Sequence, residues 1–216
     1  MRLDQLLEQF RRDSDDRAEP FLWSTEDVTD WLNEAEGEAC ERMRLLRDTR
    51  TYPIAAGDSG ATAIHAHLFS VLRAWLVDAG GEIYTLEERD ELELDQTVPD
   101  WRSRTQRPER FIWYGDRTLR FDALADAAYT LHLECWALPQ TEFRGADAAP
   151  SIPAIHHRRL VYWALHKAYS VPDSELQDDE KAARNLAAFD AYFGRRPTAD
   201  MRRGKTANNP HRNKLW

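Results

Sequence analysis

Three histidines in the C-terminal half of the sequence are the first candidates for metal or acid–base chemistry. His156 and His157 are adjacent, and His166 follows in the same predicted helix. Neighbouring helical residues point about 100° apart, so the adjacent pair cannot share one helix face. A metal-binding helix places its histidines four residues apart, as in His-Glu-x-x-His. We therefore interpret these histidines as residues at the start of a helix, near an interface, and not as metal ligands.

Other polar pairs are equally poor candidates for a catalytic or metal site. His65 and His67 alternate along a possible strand and share one side of it, but two ligands do not complete a zinc site. Paired carboxylates occur at Asp15-Asp16, Glu87-Glu88 and Asp178-Asp179. Such pairs are typical of solvated faces, whereas a catalytic carboxylate needs a partly buried setting that shifts its pKa. Nothing in the sequence marks such a setting.

Neither the two cysteines nor the glycines form a motif that is typical of catalysis or nucleotide binding. Cys40 and Cys135 lie far apart, without a Cys-x-x-Cys motif or a nearby activating histidine, and we expect both to be reduced, buried thiols. Gly57-x-x-Gly60 is not followed by Gly-Lys-Ser/Thr, and the sequence has neither G-x-G-x-x-G nor G-x-S-x-G. We predict that the protein is not an enzyme and uses no cofactor and no metal.

Hydrophobic spacing predicts helices towards both ends of the chain. Apolar residues from Leu3 to Phe10 indicate a first helix, and a second over Thr25–Asp48 follows Ser24, which can cap it. A third helix is predicted over Ala154–Val171. A fourth is predicted over Ser174–Phe193, where Gly194 can end it.

The middle of the chain has the two-residue periodicity of strands. Phe69–Val77 and Glu82–Leu86 flank a glycine-containing loop, which predicts a hairpin. Arg110–Tyr114 and Arg117–Phe121 flank Gly115-Asp116, a loop suited to a type II′ turn. Residues from Tyr129 to Ala137 alternate between apolar and polar types. The highly charged stretch Glu87–Asp95 is expected to be a loop or a short surface helix.

These elements predict an α+β fold with three parts. Residues 1–50 and 151–194 are expected to form a helical bundle domain, and residues 51–150 an inserted, small antiparallel β-rich module. Residues 195–216 are expected to form an extended, basic C-terminal tail, because Pro197, Gly204 and Pro210 break periodic structure. The polar start of the chain and the short uncharged stretch Ser59–Leu72 predict a soluble protein without a signal peptide or membrane span.

Charge is distributed unevenly between the body and the tail. Residues 195–216 carry seven basic residues and one acid, a net charge of +6, whereas residues 1–194 carry 22 basic and 37 acidic residues, a net charge of −15. The acidic body should repel nucleic acid. The candidate docking residues of the tail are Arg195, Arg196, Arg202, Arg203, Lys205, Arg212, Lys214, Leu215 and Trp216. Docking on a protein, contact with DNA phosphate and plain solvation remain open for them, and the apolar Leu215-Trp216 end favours docking.

Two blocks of sequence resemble the head-to-tail adaptor proteins of tailed phages. The first block contains Leu3-x-x-Leu6-Leu7-x-x-Phe10, Asp15-Asp16, Leu22-Trp23-Ser24-Thr25-Glu26-Asp27-Val28 and Leu32-Asn33-Glu34-Ala35. The second contains Ile152-Pro153-x-x-His156-His157-x-x-Leu160-Val161-x-Trp163-Ala164-Leu165 and Ala182-x-x-x-Leu186-x-x-Phe189. The order and spacing of the motifs carry the resemblance, which covers somewhat under half of the chain and leaves out the middle.

This resemblance implies a structural role in the neck of the virion, after assembly in the host cytoplasm. It implies a ring of twelve copies that binds the portal protein on one face and a tail nozzle or tail-tube protein on the other. Double-stranded DNA would pass through the channel without specific binding, and the tail from Arg195 to Trp216 would reach the portal. Two alternatives stay open: a DNA-binding accessory factor that uses the basic tail, and an enzyme of unrecognised chemistry.

Overall fold

The structure, a computed structural model, describes residues 1–61, 63–115, 117–172 and 176–196. Its α-helices are α1 (Leu3–Ser14), α2 (Thr25–Met43), α3 (Glu91–Thr97), α4 (Leu160–Tyr169) and α5 (Asp179–Phe193), and a 3₁₀ helix (Ala154–Arg159) precedes α4. Its strands are β1 (Leu46–Ile54), β2 (Gly60–Ala61), β3 (Leu68–Val77), β4 (Ile83–Glu88), β5 (Arg110–Trp113), β6 (Leu119–Phe121) and β7 (Tyr129–Ala137). The predicted α+β class is confirmed. None of the described helices is both long and apolar enough to cross a membrane.

The described chain divides into two compact units. The helical unit consists of Met1–Leu46 and Ala137–Arg196, and the sheet unit contains Arg47–Trp136. Helix α4 contacts α1, α2 and α5 and lies at the centre of the helical unit. Seven of its ten residues are buried, as expected for a helix with neighbours on several sides. The core of this unit also contains the predicted apolar positions Leu3, Leu6, Val28 and Phe189.

The ends of the helices show where local chemistry decides the fold. Ser24 caps α2 as predicted, because its Oγ accepts a hydrogen bond from the Asp27 N–H at 3.0 Å. The predicted extension of α2 to Asp48 is wrong: Arg44 adopts the left-handed conformation, and Leu46 already begins β1. The predicted third helix begins as the 3₁₀ helix, and the fourth begins at Asp179 after the side chain of Asp178 caps it.

The seven strands of the sheet unit lie in the order β1-β7-β3-β4-β5-β6-β2. The predicted hairpin of β3 and β4 is confirmed, with Ala74 opposite Leu86 and Val77 opposite Ile83. Strands β4 and β5 are parallel, which departs from the antiparallel arrangement predicted for the module. The long connection that contains α3 makes this pairing possible, since parallel neighbours need a crossover. Helix α3 covers part of the charged stretch Glu87–Asp95, where a loop or a short surface helix was predicted.

The second predicted hairpin, formed by β5 and β6, is confirmed as an antiparallel pair. The Tyr114 N–H donates a hydrogen bond to the Thr118 carbonyl oxygen at 3.3 Å, so the loop is longer than the two residues predicted. Gly115 has a φ of +76°, which suits glycine. The proposed type II′ turn also needs Asp116, which lies outside the described residues.

Candidate docking surfaces

The histidines singled out from the sequence have structural partners. The ring nitrogens of His157 contact the carbonyl oxygens of Ile152 at 2.8 Å and Met1 at 2.9 Å, so this buried side chain ties the start of α1 to the 3₁₀ helix. His156 Nδ1 lies 3.1 Å from the hydroxyl of Tyr192, and burial together with the neighbouring His157 lowers the pKa of His156. Within the described ranges, no three His, Cys, Asp or Glu residues are placed to hold a metal ion.

The second histidine pair belongs to a polar cluster on the sheet. His67 Nε2 lies 2.8 Å from Asp48 Oδ2, and Arg50 Nε donates to the same oxygen at 2.7 Å. Burial opposes ionisation of Asp48, but the hydrogen bonds from His67 and Arg50 hold its pKa below the ordinary value. The ring of His65 lies 5.7 Å from that of His67. The His67–Asp48 contact therefore ties the segment before β3 to strand β1.

Both cysteines are buried free thiols, which confirms their predicted burial. Burial raises the pKa of Cys40 to about 12, and the nearby carboxylate of Glu36 adds to the shift. Burial likewise raises the pKa of Cys135 to about 12. Since the thiolate is the reactive form, neither side chain is set up as a nucleophile at neutral pH.

The predicted docking residues fall at the end of the described chain. Arg195 and Arg196 are described, whereas Arg202, Arg203, Lys205, Arg212, Lys214, Leu215 and Trp216 lie outside the described residues. The guanidinium of Arg196 lies 3.5 Å from carboxylate oxygens of both Glu38 and Glu41 on α2. The Arg196 side chain is 60% exposed, so these two ion pairs contribute little by themselves.

Arg42, which shares the partner Glu38 with Arg196 and has a buried side chain, was missed by sequence analysis. All three of its guanidinium nitrogens donate hydrogen bonds: Nε and Nη2 to Glu38, and Nη1 to Asp190 at 2.6 Å and to the Gly194 carbonyl oxygen at 3.0 Å. Its side chain is only 4% exposed and lies against the rings of Trp163 and Phe189. We call Arg42, Glu38, Asp190, Gly194 and Arg196 the tail root, because they hold the point where residues 197–216 begin.

A second site missed by sequence analysis is a cavity of about 560 Å³ beside α1. We call it the α1 pocket; it is lined by Leu7, Glu8, Arg11, Arg12, Arg17, Phe21 and Thr25, so three arginines and one carboxylate face it. Arg11 is buried; its Nη1 donates to Asp16, and its guanidinium lies 4.1 Å from the centre of the Phe21 ring. The buried Nη2 of Arg11 has no hydrogen-bond partner among the described residues.

Taken together, the described residues have structural histidines, inert thiols and two charged surfaces, as expected of a protein that acts by assembling with others. Residues 1–213 match the family of the SU10 adaptor protein, and the chain belongs to this family of phage head-to-tail adaptors. A comparison with curated proteins finds no match. The resemblance inferred from the terminal blocks is therefore confirmed. The protein is a structural component of the virion neck, and its general partners are portal and tail proteins and further copies of itself.

Proposed function

We propose that twelve copies of this chain form a ring that binds the portal on one face and a tail tube or nozzle on the other. Double-stranded DNA passes through the channel of this ring without specific binding, because an acidic wall repels phosphate. The segment from Arg195 to Trp216 docks on the portal. The observation that carries the docking step is the tail root, which fixes the place where the basic segment leaves the helical unit.

The geometry of the tail root supports this role. Gly194 ends α5 with a φ of +83°, and its N–H donates to the Asp190 carbonyl oxygen at 2.9 Å. Arg42 holds both the Asp190 carboxylate and the Gly194 carbonyl oxygen. A docking segment that starts from a fixed point loses less entropy when it binds than one that starts from a mobile loop.

The residues of the segment 195–216 can both attract a partner by charge and bind it through an apolar end. Its charge of +6 attracts an acidic partner at long range, and salt weakens that attraction. Leu215 and Trp216 supply an apolar end, and a buried tryptophan at an interface is worth about 2 kcal/mol or more. Affinity is therefore assigned mainly to Trp216, and the rate of encounter to the basic residues.

The test compares the full chain with a chain that lacks residues 197–216 but keeps the contacts of Arg42 and Arg196 with Glu38, Glu41, Asp190 and Gly194. We expect the truncated chain to keep its circular dichroism spectrum and to lose co-sedimentation with purified portal or tailless heads. Trp216→Ala should weaken binding about thirtyfold, whereas Lys205→Ala, the matched control, should change it less than about threefold. Undiminished binding of the truncated chain would exclude the segment as the docking element.

The alternative, a DNA-binding accessory factor, draws on the same seven basic residues. In that case the full chain would be retained on immobilised double-stranded DNA at physiological salt, and truncation at residue 197 would release it. Co-sedimentation with DNA-free portal would then be unaffected by the truncation. The two functions thus make opposite predictions for the same variant.

A further inference from the structure

The α1 pocket combines a buried donor, positive charge and apolar surface. The side chain of Arg11 is 9% exposed, yet its Nη2 has no acceptor among the described residues. Arg12 and Arg17 also line the cavity and outnumber its one carboxylate, Glu8, while Leu7 and Phe21 supply apolar walls. A buried guanidinium nitrogen without an acceptor is costly, so the pocket suits a ligand that brings carboxylate oxygens together with an apolar side chain.

The positive charges of the pocket are available for exchange. Arg12 pairs with Glu8 at 2.8 Å, and Arg17 with Asp15 at 3.7 Å. Both arginine side chains are more than half exposed, and ion pairs of this kind contribute little to stability. An incoming carboxylate can therefore share or replace these partners at small cost.

A complementary surface occurs on this chain itself, at the tip of helix α3. Leu92 is 70% exposed, which is unusual for a leucine, and it lies between Glu91 and Glu93. Among the described residues, the Glu93 side chain makes one long ion pair, 3.7 Å, with Arg89, and Glu91 pairs with Arg102 at 2.7 Å. The first turn of α3 thus exposes an apolar side chain with the Glu93 carboxylate beside it, which matches the apolar walls and arginines of the α1 pocket.

We propose that the α1 pocket receives the tip Glu91-Leu92-Glu93 of a second copy of this chain. Leu92 would pack against Leu7 and Phe21, and Glu93, about 100° further round the helix, would face the arginines of the pocket. The pocket and the tip are different surfaces of one chain, so the contact is heterologous, and repeating it generates a closed ring or an open chain of copies. The inference rests on the proposed ring, since it names one contact between its neighbouring copies.

Cysteine cross-linking tests this contact directly. The double variant Phe21→Cys/Leu92→Cys should form a ladder of disulfide-linked oligomers on mild oxidation, and a mixture of the two single variants should form covalent dimers only. Cys40 and Cys135 do not interfere, because both are buried. Two double variants that each move one cysteine serve as controls: Ile155→Cys/Leu92→Cys and Phe21→Cys/Ile83→Cys. Ile155 is 77% exposed and Ile83 is 64% exposed, and we expect no ladder from either control.

The oxidation is carried out both on portal-bound protein and on free protein at high concentration, which separates this inference from the proposed function. A ladder in free protein that does not bind the portal would support the contact and argue against the docking role. The absence of a ladder in both samples, or equal ladders from the controls, would overturn the contact. A second measurement is self-association by sedimentation, which Leu92→Asp should weaken about tenfold or more while Ile83→Asp leaves it unchanged.

Discussion

Arg42 and Arg11 are both withdrawn from solvent in the helical unit, but their hydrogen bonding differs. All three guanidinium nitrogens of Arg42 have acceptors on α2 and at the end of α5. Arg11 has one carboxylate partner, Asp16, and one buried nitrogen without any partner among the described residues. Every guanidinium nitrogen of Arg42 is thus satisfied within one chain, whereas we assign the unpartnered nitrogen of Arg11 to the proposed contact with a second copy. Satisfaction of buried polar groups thus separates a structural clamp from a candidate binding site.

The largest expected effect on stability comes from removing Arg42, which holds Glu38 and Asp190 together. Arg42→Ala should lower the free energy of unfolding by about 3 kcal/mol, because Glu38 and Asp190 lose their shared partner and two aromatic rings lose a packed cation. Urea titration of the full-length protein measures this value. Arg12→Ala, which removes an exposed pair with Glu8, is the control and should cost less than about 0.5 kcal/mol. Equal losses in the two variants would show that Arg42 is not a clamp.

The next prediction concerns Glu36, a buried carboxylate whose hydrogen-bond partners all lie within the chain. Glu36 is 1% exposed, and one of its oxygens accepts hydrogen bonds from the backbone N–H groups of Ser151 and Ile152. Glu36→Ala should cost about 2 kcal/mol, because it leaves the buried Ile152 N–H and the partly buried Ser151 N–H without an acceptor. Glu36→Gln retains an acceptor oxygen and should cost far less. Urea titration at neutral pH separates the two variants.

The pH dependence of Glu36 sharpens the same test. Burial raises the pKa of this group in the folded state, although the two backbone hydrogen bonds partly oppose the shift. Its contribution to stability is therefore fully present below the ordinary glutamate pKa and is lost as the pH rises through the raised value. The stability of Glu36→Gln relative to the natural chain should increase between about pH 4 and about pH 7. A difference that is constant across this range would contradict the assigned shift.

Local sequence signals predicted most of the helices and several strands, but not the events that depend on distant partners. The Ser24 cap and the alternation from Tyr129 to Ala137 are local, and both were predictable. Strand β1 was missed because Leu46 also fits the helical spacing of α2, and the turn between them uses Arg44 in a left-handed conformation rather than a glycine. The parallel pairing of β4 with β5 follows from the path of the chain and not from either strand.

The candidate sites divide in the same way. The basic segment from Arg195 to Trp216 could be recognised from charge alone, and its role in docking stays a prediction. Arg42 could not be recognised, because an arginine on an amphipathic helix is ordinarily solvated and its partner Asp190 is 148 residues away in the sequence. Arg11 was missed for the same reason, since its burial depends on the connector between α1 and α2 folding back over it.

The smallest expected effect on stability concerns the ion pair formed by Arg11 and Asp16. Asp16 accepts hydrogen bonds from the Leu22 N–H at 2.9 Å and the Trp23 N–H at 3.5 Å as well as from Arg11. Arg11→Met alone would leave a buried carboxylate with only backbone donors. Adding Asp16→Asn removes that charge and keeps an acceptor for Leu22, so the double variant should lose less than about 1 kcal/mol.

This double variant should nevertheless lose self-association, because the donor assigned to the second copy is gone. Urea titration measures the first quantity, and sedimentation at high concentration measures the second. The matched variant Arg42→Met/Asp190→Asn should show the reverse pattern: a larger loss of stability, since Glu38 and the Gly194 carbonyl oxygen lose a donor, with self-association of the remaining folded protein unchanged. If both double variants lost stability equally and neither altered self-association, the unpartnered nitrogen of Arg11 would have no role in assembly.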